Sequence, residues 1–421
     1  RTVHTGLLEY KNVYRPARVI SYDKESGELV LHNYMDFDNL KDYVKISYEL
    51  TQDGLLIGKG KLDEVSVVPH SEGKTNLQVN VPENGKCYLK LTYHLKKEMP
   101  LLEEDYILGF DEIEVSQKDA KCQLAEKWVE KTVTDSELQV SEDDTQIHIK
   151  GREFAYTIDR RTALFTEMKF AGREYLNHPM ELNIWRAPTD NDMYIKSEWK
   201  KAHYDKAYTR AYTTEVVQGK HGVKITSHAS VVAETVQKIL DVTITWKIEA
   251  AGKIDADIAV TKDDEFPDLP RFGVRMFLDK KLSAARYFGM GPQESYCDKH
   301  QAASHGLYRA NVDDLHEDYI RPQENGSHYD CEYVELNNSR YGIVASAENA
   351  FSFNASYYTQ EELEEKTHNY ELTESDSVVF CVDYALNGIG SNSCGPVVLE
   401  QYRFDDVLFR FQFTLIPYIK G

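Results

Sequence analysis

A period-two alternation of apolar and polar residues recurs through this chain from end to end, with almost no helical period competing against it. Phe409-Arg-Phe-Gln-Phe-Thr-Leu415 puts its apolar residues on one side and its polar ones on the other. Successive side chains of a strand point to opposite faces, so such a segment reads as a half-buried strand. The same pattern marks Val44-Lys-Ile-Ser-Tyr-Glu-Leu50, Gln146-Ile-His-Ile-Lys150, Val242-Thr-Ile-Thr-Trp-Lys-Ile248 and Ile254-Asp-Ala-Asp-Ile-Ala-Val260. Turn pairs separate the runs. Asp53-Gly54 precedes Leu55-Leu-Ile57, and Asn84-Gly85 lies between Leu77-Gln-Val-Asn-Val81 and Tyr88-Leu-Lys-Leu-Thr-Tyr-His-Leu95. The fold class that follows is all-β. One stretch, 195–211, reads as a helix, with Ile195, Trp199 and Ala202 on one face.

The strand signals group into two domains. Roughly seven strands between residues 17 and 115 suit an immunoglobulin-like β-sandwich, assigned to residues 1–116. Residues 117–135 carry Lys118, Lys121, Lys127 and Lys131 and read either as a linker or as a solvated helix face. From 136 to 421 the strand pattern continues without a fixed repeat, which indicates one large two-layer sandwich.

Composition removes several functions. A net charge of −21, with no dense Lys/Arg cluster, argues against nucleic-acid binding, which needs a basic face. No apolar run approaches the ~20 residues of a membrane-spanning helix. The six cysteines are widely scattered without a C-x-x-C pair, so they read as reduced thiols of a cytoplasmic protein. Cys297-Asp-Lys-His300 has a metal-like spacing but no second ligand pair, and no metal site is assigned. Residue 1 is Arg and no signal peptide follows, so the expectation is an expressed segment or a processed product.

Four motifs in the second domain stand apart from the strands. Asn183-Ile-Trp-Arg-Ala-Pro-Thr-Asp-Asn-Asp192 combines an indole, a guanidinium, a proline and two carboxylates. Pro188 biases Ala187 away from helix, so Arg186 to Asp192 reads as an ordered loop. Arg186, Asp190, Asn191 and Asp192 are its candidate contact residues. The structural alternative is that Asp190 and Asp192 cap turns and pair with Arg186. Tyr287-Phe-Gly-Met-Gly-Pro-Gln-Glu-Ser-Tyr296 has glycines for tight backbone geometry, but no helix follows as a dinucleotide site would require. Tyr319-Ile-Arg-Pro-Gln-Glu-Asn-Gly326 repeats its Pro-Gln-Glu triplet. A Gln-Glu pair at a strand edge can satisfy backbone donors or bind hydroxyls. Gly388-Ile-Gly-Ser-Asn-Ser-Cys-Gly-Pro396 is too rich in Gly for a strand and reads as a shaped loop or a long hairpin turn.

In order and spacing these motifs resemble the C-terminal region of family 2 β-galactosidases. Thr5-Gly-Leu-Leu-Glu-Tyr-Lys-Asn-Val-Tyr-Arg-Pro16 is similar to the segment with which that family leaves its catalytic barrel. The resemblance implies an immunoglobulin-like domain followed by a galactose-mutarotase-like β-supersandwich, the small chain of two-chain members. It also implies a parent enzyme that hydrolyses β-galactosides such as lactose with retention. That chemistry needs two carboxylates about 5 Å apart, both on the barrel in this family. No alternating βα pattern exists here, so no catalytic residue is assigned. The expected partners are the N-terminal catalytic part, a β-galactoside substrate and further copies of the parent. No cofactor is expected in this chain, and magnesium is expected in the parent.

The resemblance makes 388–396 a loop at the active-site mouth. Some members carry a tryptophan where this chain has Cys394, so stacking on sugar is in doubt. Asn392, Ser393 and Cys394 become the candidate substrate-binding residues. Phe170-Ala-Gly-Arg-Glu-Tyr175 corresponds to a flap with Gly172 as its hinge. Two other readings stay open. One is a freestanding carbohydrate-binding or subunit-assembly module. The other is an aldose epimerase, with His300, His305 and Glu324 as its candidate acid and base.

Overall fold

In the computed structural model, seven antiparallel strands form two facing sheets at the start of the chain. Ala17–Tyr22, Glu28–Asn33 and Glu72–Asn76 make the first, in that order. Leu55–Lys61, Val44–Gln52, Cys87–Leu95 and Ile107–Ser116 make the second. Alternation in Val44–Gln52 and Cys87–Leu95 sends Ile46, Leu50, Leu89, Leu91 and Tyr93 inward, against Leu29 and Leu31 of the other sheet. Each such side chain contributes about 1.5–3 kcal/mol on leaving water. Asp53 and Gly54 take φ of 49° and 77°, the paired left-handed conformation of a two-residue hairpin. This is an immunoglobulin-like sandwich.

The structure describes residues 3–116, 138–390 and 395–420, so the linker read at 117–135 lies outside the described residues. The chain divides into two compact units. Residues 290–293 and 300–307 join the first, and the rest of the chain after 122 forms the second. No described helix is long and apolar enough to cross a membrane.

Two sequence expectations for the first unit need correction. Residues 77–81 form no strand; the ladder partner of Glu28–Asn33 is Glu72–Asn76, just before them. Leu77 is buried, and Val79 and Val81 pack on the same core. Their alternation reports side-chain burial outside any ladder, with the Leu77 N–H still donating to the Gly27 carbonyl at 2.8 Å. The helix Thr5–Val13 escaped the sequence reading because Leu7, Tyr10 and Val13 are exposed, leaving no buried stripe. Asn12 anchors it: Asn12 Nδ2 donates to the Phe110 carbonyl at 3.1 Å, and Phe110 N–H donates to Asn12 Oδ1 at 2.7 Å.

The second unit holds a five-stranded meander and a twelve-stranded sheet. The meander runs through Gln139–Glu142, Gln146–Lys150, Phe154–Asp159, Leu164–Phe170 and Arg173–Glu174. In the large sheet the last strand, Leu408–Ile419, inserts between Ile254–Lys262 and Tyr341–Ser356. Its Phe409, Phe411, Phe413 and Leu415 enter the core. Trp246 is fully buried, meets Phe165 edge-on at 4.9 Å and donates its indole N–H to the Ala163 carbonyl at 2.8 Å. The chain is therefore all-β, a small sandwich followed by a large antiparallel supersandwich.

The expected helix at 195–211 is shorter than its pattern. It spans Ile195–Lys201, and His203 at φ 57° ends it. A 3₁₀ turn, Tyr204–Lys206, follows, and from Tyr208 the chain is strand Tyr208–Gln218. Ladder bonds to Gly222–Ala233 override the helical pattern there. The buried face is the expected one: Trp199 is fully buried, and its indole N–H reaches the Asp268 carbonyl at 2.8 Å.

Candidate functional site

The first motif meets the fourth around residues 387–390, and it meets the third through Asp190 and Ala187. Strand Leu176–Asn183 ends where the first motif begins, and a 3₁₀ turn, Asp190–Asp192, closes it. Arg186 lies between these ends, 0% exposed. Its Nε donates to Asp192 Oδ2 at 3.1 Å and its Nη2 to Oδ1 at 2.7 Å. The remaining donors reach the carbonyls of Asn387 at 2.5 Å and Gly388 at 3.0 Å. Burial works against the guanidinium charge, but Asp192 outweighs it and holds Arg186 above its usual pKa. One planar cation thus ties the first motif to the fourth.

Of the two carboxylates that the structural alternative pairs with Arg186, only Asp192 does so. Asp190 instead meets Gln323 of the third motif: its N–H donates to Gln323 Oε1 at 3.0 Å, and Gln323 Nε2 donates to Asp190 Oδ2 at 3.3 Å. Asn191 Nδ2 donates to the Ile389 carbonyl at 3.0 Å and to that of Gly390. From the opposite chain direction, Asp298 accepts the Ile389 N–H at 3.0 Å and the Gly390 N–H at 2.7 Å. Side chains therefore donate to the carbonyls of 387–390 and accept the Ile389 and Gly390 N–H groups, while the Asn387 and Gly388 N–H groups donate to the backbone carbonyls of Pro270 and Tyr402.

A second buried arginine underlies this junction. Arg271 donates to Asp383 through Nε at 3.1 Å and Nη2 at 2.5 Å, and to Glu324 Oε2 through Nη1 at 3.2 Å. All three are buried. Glu324 Oε1 is buried without a hydrogen-bond partner, while the Glu324 backbone N–H donates to the Ala187 carbonyl at 3.0 Å. Burial pushes the Glu324 carboxyl above its usual pKa. The two arginines face three carboxylates, Asp192, Asp383 and Glu324, and burial pushes Asp383 as well as Glu324 above its usual pKa. The third motif's Gln323 and Glu324 are thus buried in an irregular segment, not placed at a strand edge.

Glu294 of the second motif is also buried. It receives Lys299 Nζ at 2.5 Å, the Tyr319 hydroxyl and the Gly326 N–H at 2.8 Å. Burial opposes its ionisation, but Lys299 and the other donors outweigh that and hold the carboxyl below its usual pKa. A carboxylate with a lowered folded pKa stabilises the fold at higher pH, and that contribution is lost as pH falls through the folded value. Acid unfolding below about pH 4.3 should therefore be shallower in Glu294→Gln than in the parent chain. Denaturant midpoints measured down to pH 3 check this, and parallel curves would remove Glu294 from the acid limb.

A cleft of about 550 Å³ opens beside the junction, lined by Asn191, Tyr194, Asp268, Ile389, Val397 and Arg403 among others. Asn392, Ser393 and Cys394 lie outside the described residues. Gly172 sits in the hairpin between Leu164–Phe170 and Arg173–Glu174, in the five-stranded meander. Its φ is 76° and a Cβ there would meet nothing within 4 Å, so the glycine serves backbone conformation. None of the hydrogen bonds joining the other motifs, among the described residues, reaches it. The Cys297 thiol is pushed up to about 12 by burial and donates to the carbonyls of Leu386 and Tyr402, which is the behaviour of a protonated thiol. Glu324, considered as an acid or base, is committed to Arg271, and His305 Nδ1 lies 2.7 Å from Glu112.

Sequence reasoning missed Asp298, Arg271 and Asp383. The available signal was a charge inside an apolar run: Asp383 interrupts Val378-Val-Phe-Cys-Val-Asp-Tyr-Ala-Leu386.

Residues 150–415 match the family model of the β-galactosidase small chain, and residues 29–116 match β-galactosidase domain 4. Over 99% of its length the chain is 42% identical to a β-galactosidase of Actinobacillus pleuropneumoniae and 30% identical to one of Staphylococcus xylosus. It spans 40% and 41% of those proteins, about two fifths of their length. Among solved structures, a galactose 1-epimerase from Lactobacillus acidophilus superposes at 8% identity with a TM-score of 0.37, over 69% of this chain and 100% of that one. That likeness is too slight to bear on fold or activity. The two family models between them take in both units, and the chain belongs to the β-galactosidase family.

Proposed function

We propose that this chain is the C-terminal part of a retaining family 2 β-galactosidase, in which it completes the mouth of the active site and contributes to subunit interfaces. The observation that carries the reading is the junction at residues 387–390. Arg186, Asn191 and Asp298 hold the base of the 388–396 loop from several sides. The root of this loop is fixed by a buried guanidinium, and a substrate contact requires a fixed support. In this reading Asn392, Ser393 and Cys394 meet the sugar of a β-galactoside such as lactose, and Gly172 belongs to a neighbouring flap. The catalytic carboxylates and magnesium belong to the N-terminal part, and the assembled cytoplasmic enzyme is a homo-oligomer.

The test is hydrolysis of a chromogenic β-galactoside by this chain alone, by the N-terminal part alone, and by the two mixed. Activity only in the mixture is the expected result. Activity of this chain alone would overturn the assignment. An inactive mixture of two folded parts would favour a freestanding carbohydrate-binding or assembly module. Within an active mixture, Cys394→Trp should change KM more than kcat if the loop tip touches the sugar.

A further inference from the structure

A second cleft in the large unit, of about 470 Å³, is lined by Arg286, Arg309, Lys420, Asn311, Asn337 and Glu335 among others. Arg286 lies on strand Ala284–Gly291 and Arg309 on strand Ser304–Asn311, which pair in the large sheet. Lys420 follows the last strand, Leu408–Ile419. Neither arginine forms an ion pair or a side-chain hydrogen bond among the described residues, in a chain of net charge −21. Arg286 Nε is buried without a hydrogen-bond partner. The carboxylate opposite it in the ladder is Glu335, and the Tyr418 hydroxyl is bonded to that group. The other acid of the cleft, Asp314, accepts from Asn311 through both its backbone N–H and its amide. A buried guanidinium donor without an acceptor is destabilising, and a bound anion would remove that cost.

We propose that this cleft binds a phosphate group, free or as a phosphate monoester. Two guanidinium forks on neighbouring strands can each take two oxygens, which a tetrahedral dianion offers and a single carboxylate does not. Lys420 adds a point charge at the rim, and the amides of Asn311 and Asn337 add neutral polar groups. The site is independent of the 388–396 loop and of the function proposed for it.

Isothermal titration calorimetry of the whole chain with inorganic phosphate and, separately, with galactose 6-phosphate tests the assignment. Saturable binding is expected, and Arg309→Gln should weaken it about tenfold, the loss of one charge-assisted contact. Arg286→Gln should do the same. Arg309 is exposed, so its variant keeps the test decisive if the change at Arg286 disturbs folding. Tighter binding of the sugar ester would identify a monoester site, and equal affinities a free-phosphate site. No saturable heat with either probe, or undiminished binding by Arg309→Gln, would overturn it.

Discussion

Arg271→Ala is expected to destabilise the large unit by about 3–5 kcal/mol, the usual cost of stripping one partner from a buried ion pair. The residue is 1% exposed and holds Asp383, itself 0% exposed, through two hydrogen bonds. Its removal leaves a charged carboxylate in the interior with no cation beside it, so Asp383 must take up a proton or draw in water. Glu324 loses the guanidinium donor to its Oε2 at the same time. Denaturant unfolding measures the loss. The double variant Arg271→Met, Asp383→Leu removes both charges and should recover part of it, because a well-packed apolar pair can replace a buried ion pair at little net cost. A loss under about 1 kcal/mol in the single variant would mean that the pair is not desolvated as its burial implies.

Arg186→Ala is expected to have a comparable effect on stability and a larger one on the loop. The guanidinium satisfies two backbone carbonyls as well as Asp192. Without it the Asn387 and Gly388 carbonyls and a buried carboxylate are left together, at about 1–3 kcal/mol for each unsatisfied group. The strand Ser377–Leu386 should stay paired with Arg271–Asp279, since that ladder does not involve Arg186. Limited proteolysis should therefore cut first within 387–396, before the sheet opens. Arg186→Lys keeps the charge but not the fork, so loop cleavage should persist while the stability loss shrinks. In the mixture with the N-terminal part, either variant should lower β-galactoside hydrolysis at least tenfold if the loop serves the active-site mouth. Equal proteolysis of parent and variant loops would detach Arg186 from loop placement.

The strands were legible because their alternation is a direct image of burial. The strand pattern at Phe409–Leu415 falls within the observed strand Leu408–Ile419, and its aromatic face does enter the core. The failures share one cause. Period-two or period-3.6 patterns report which side chains are buried, not which backbone groups pair. Residues 77–81 alternate and are packed but belong to no ladder, and residues 208–211 follow a helix pattern yet join one. The helix Thr5–Val13 buries no apolar stripe and left no pattern to read. At the candidate site, the motifs were visible as unusual local chemistry, whereas their partners were not. Asp298 and Asp383 lie 91 and 112 positions from the groups they bind, and nothing local marks so distant a bond.

The sequence by itself determined that this chain is all-β, that it has two domains' worth of strands, and which loops carry polar chemistry. Those properties are local: side-chain alternation, turn residues and composition act within a few residues of themselves. Only the tertiary structure decided that Arg186 bonds Asp192 and not Asp190, that Asn191 and Asp298 grip the same loop root, and that Glu324 is buried against Arg271 with one oxygen unpartnered. Such choices depend on which strands become neighbours in a twelve-stranded sheet. In a buried, low-dielectric interior each misplaced charge or unpaired polar group carries a cost of kilocalories, so the packing selects among pairings that look equivalent along the chain.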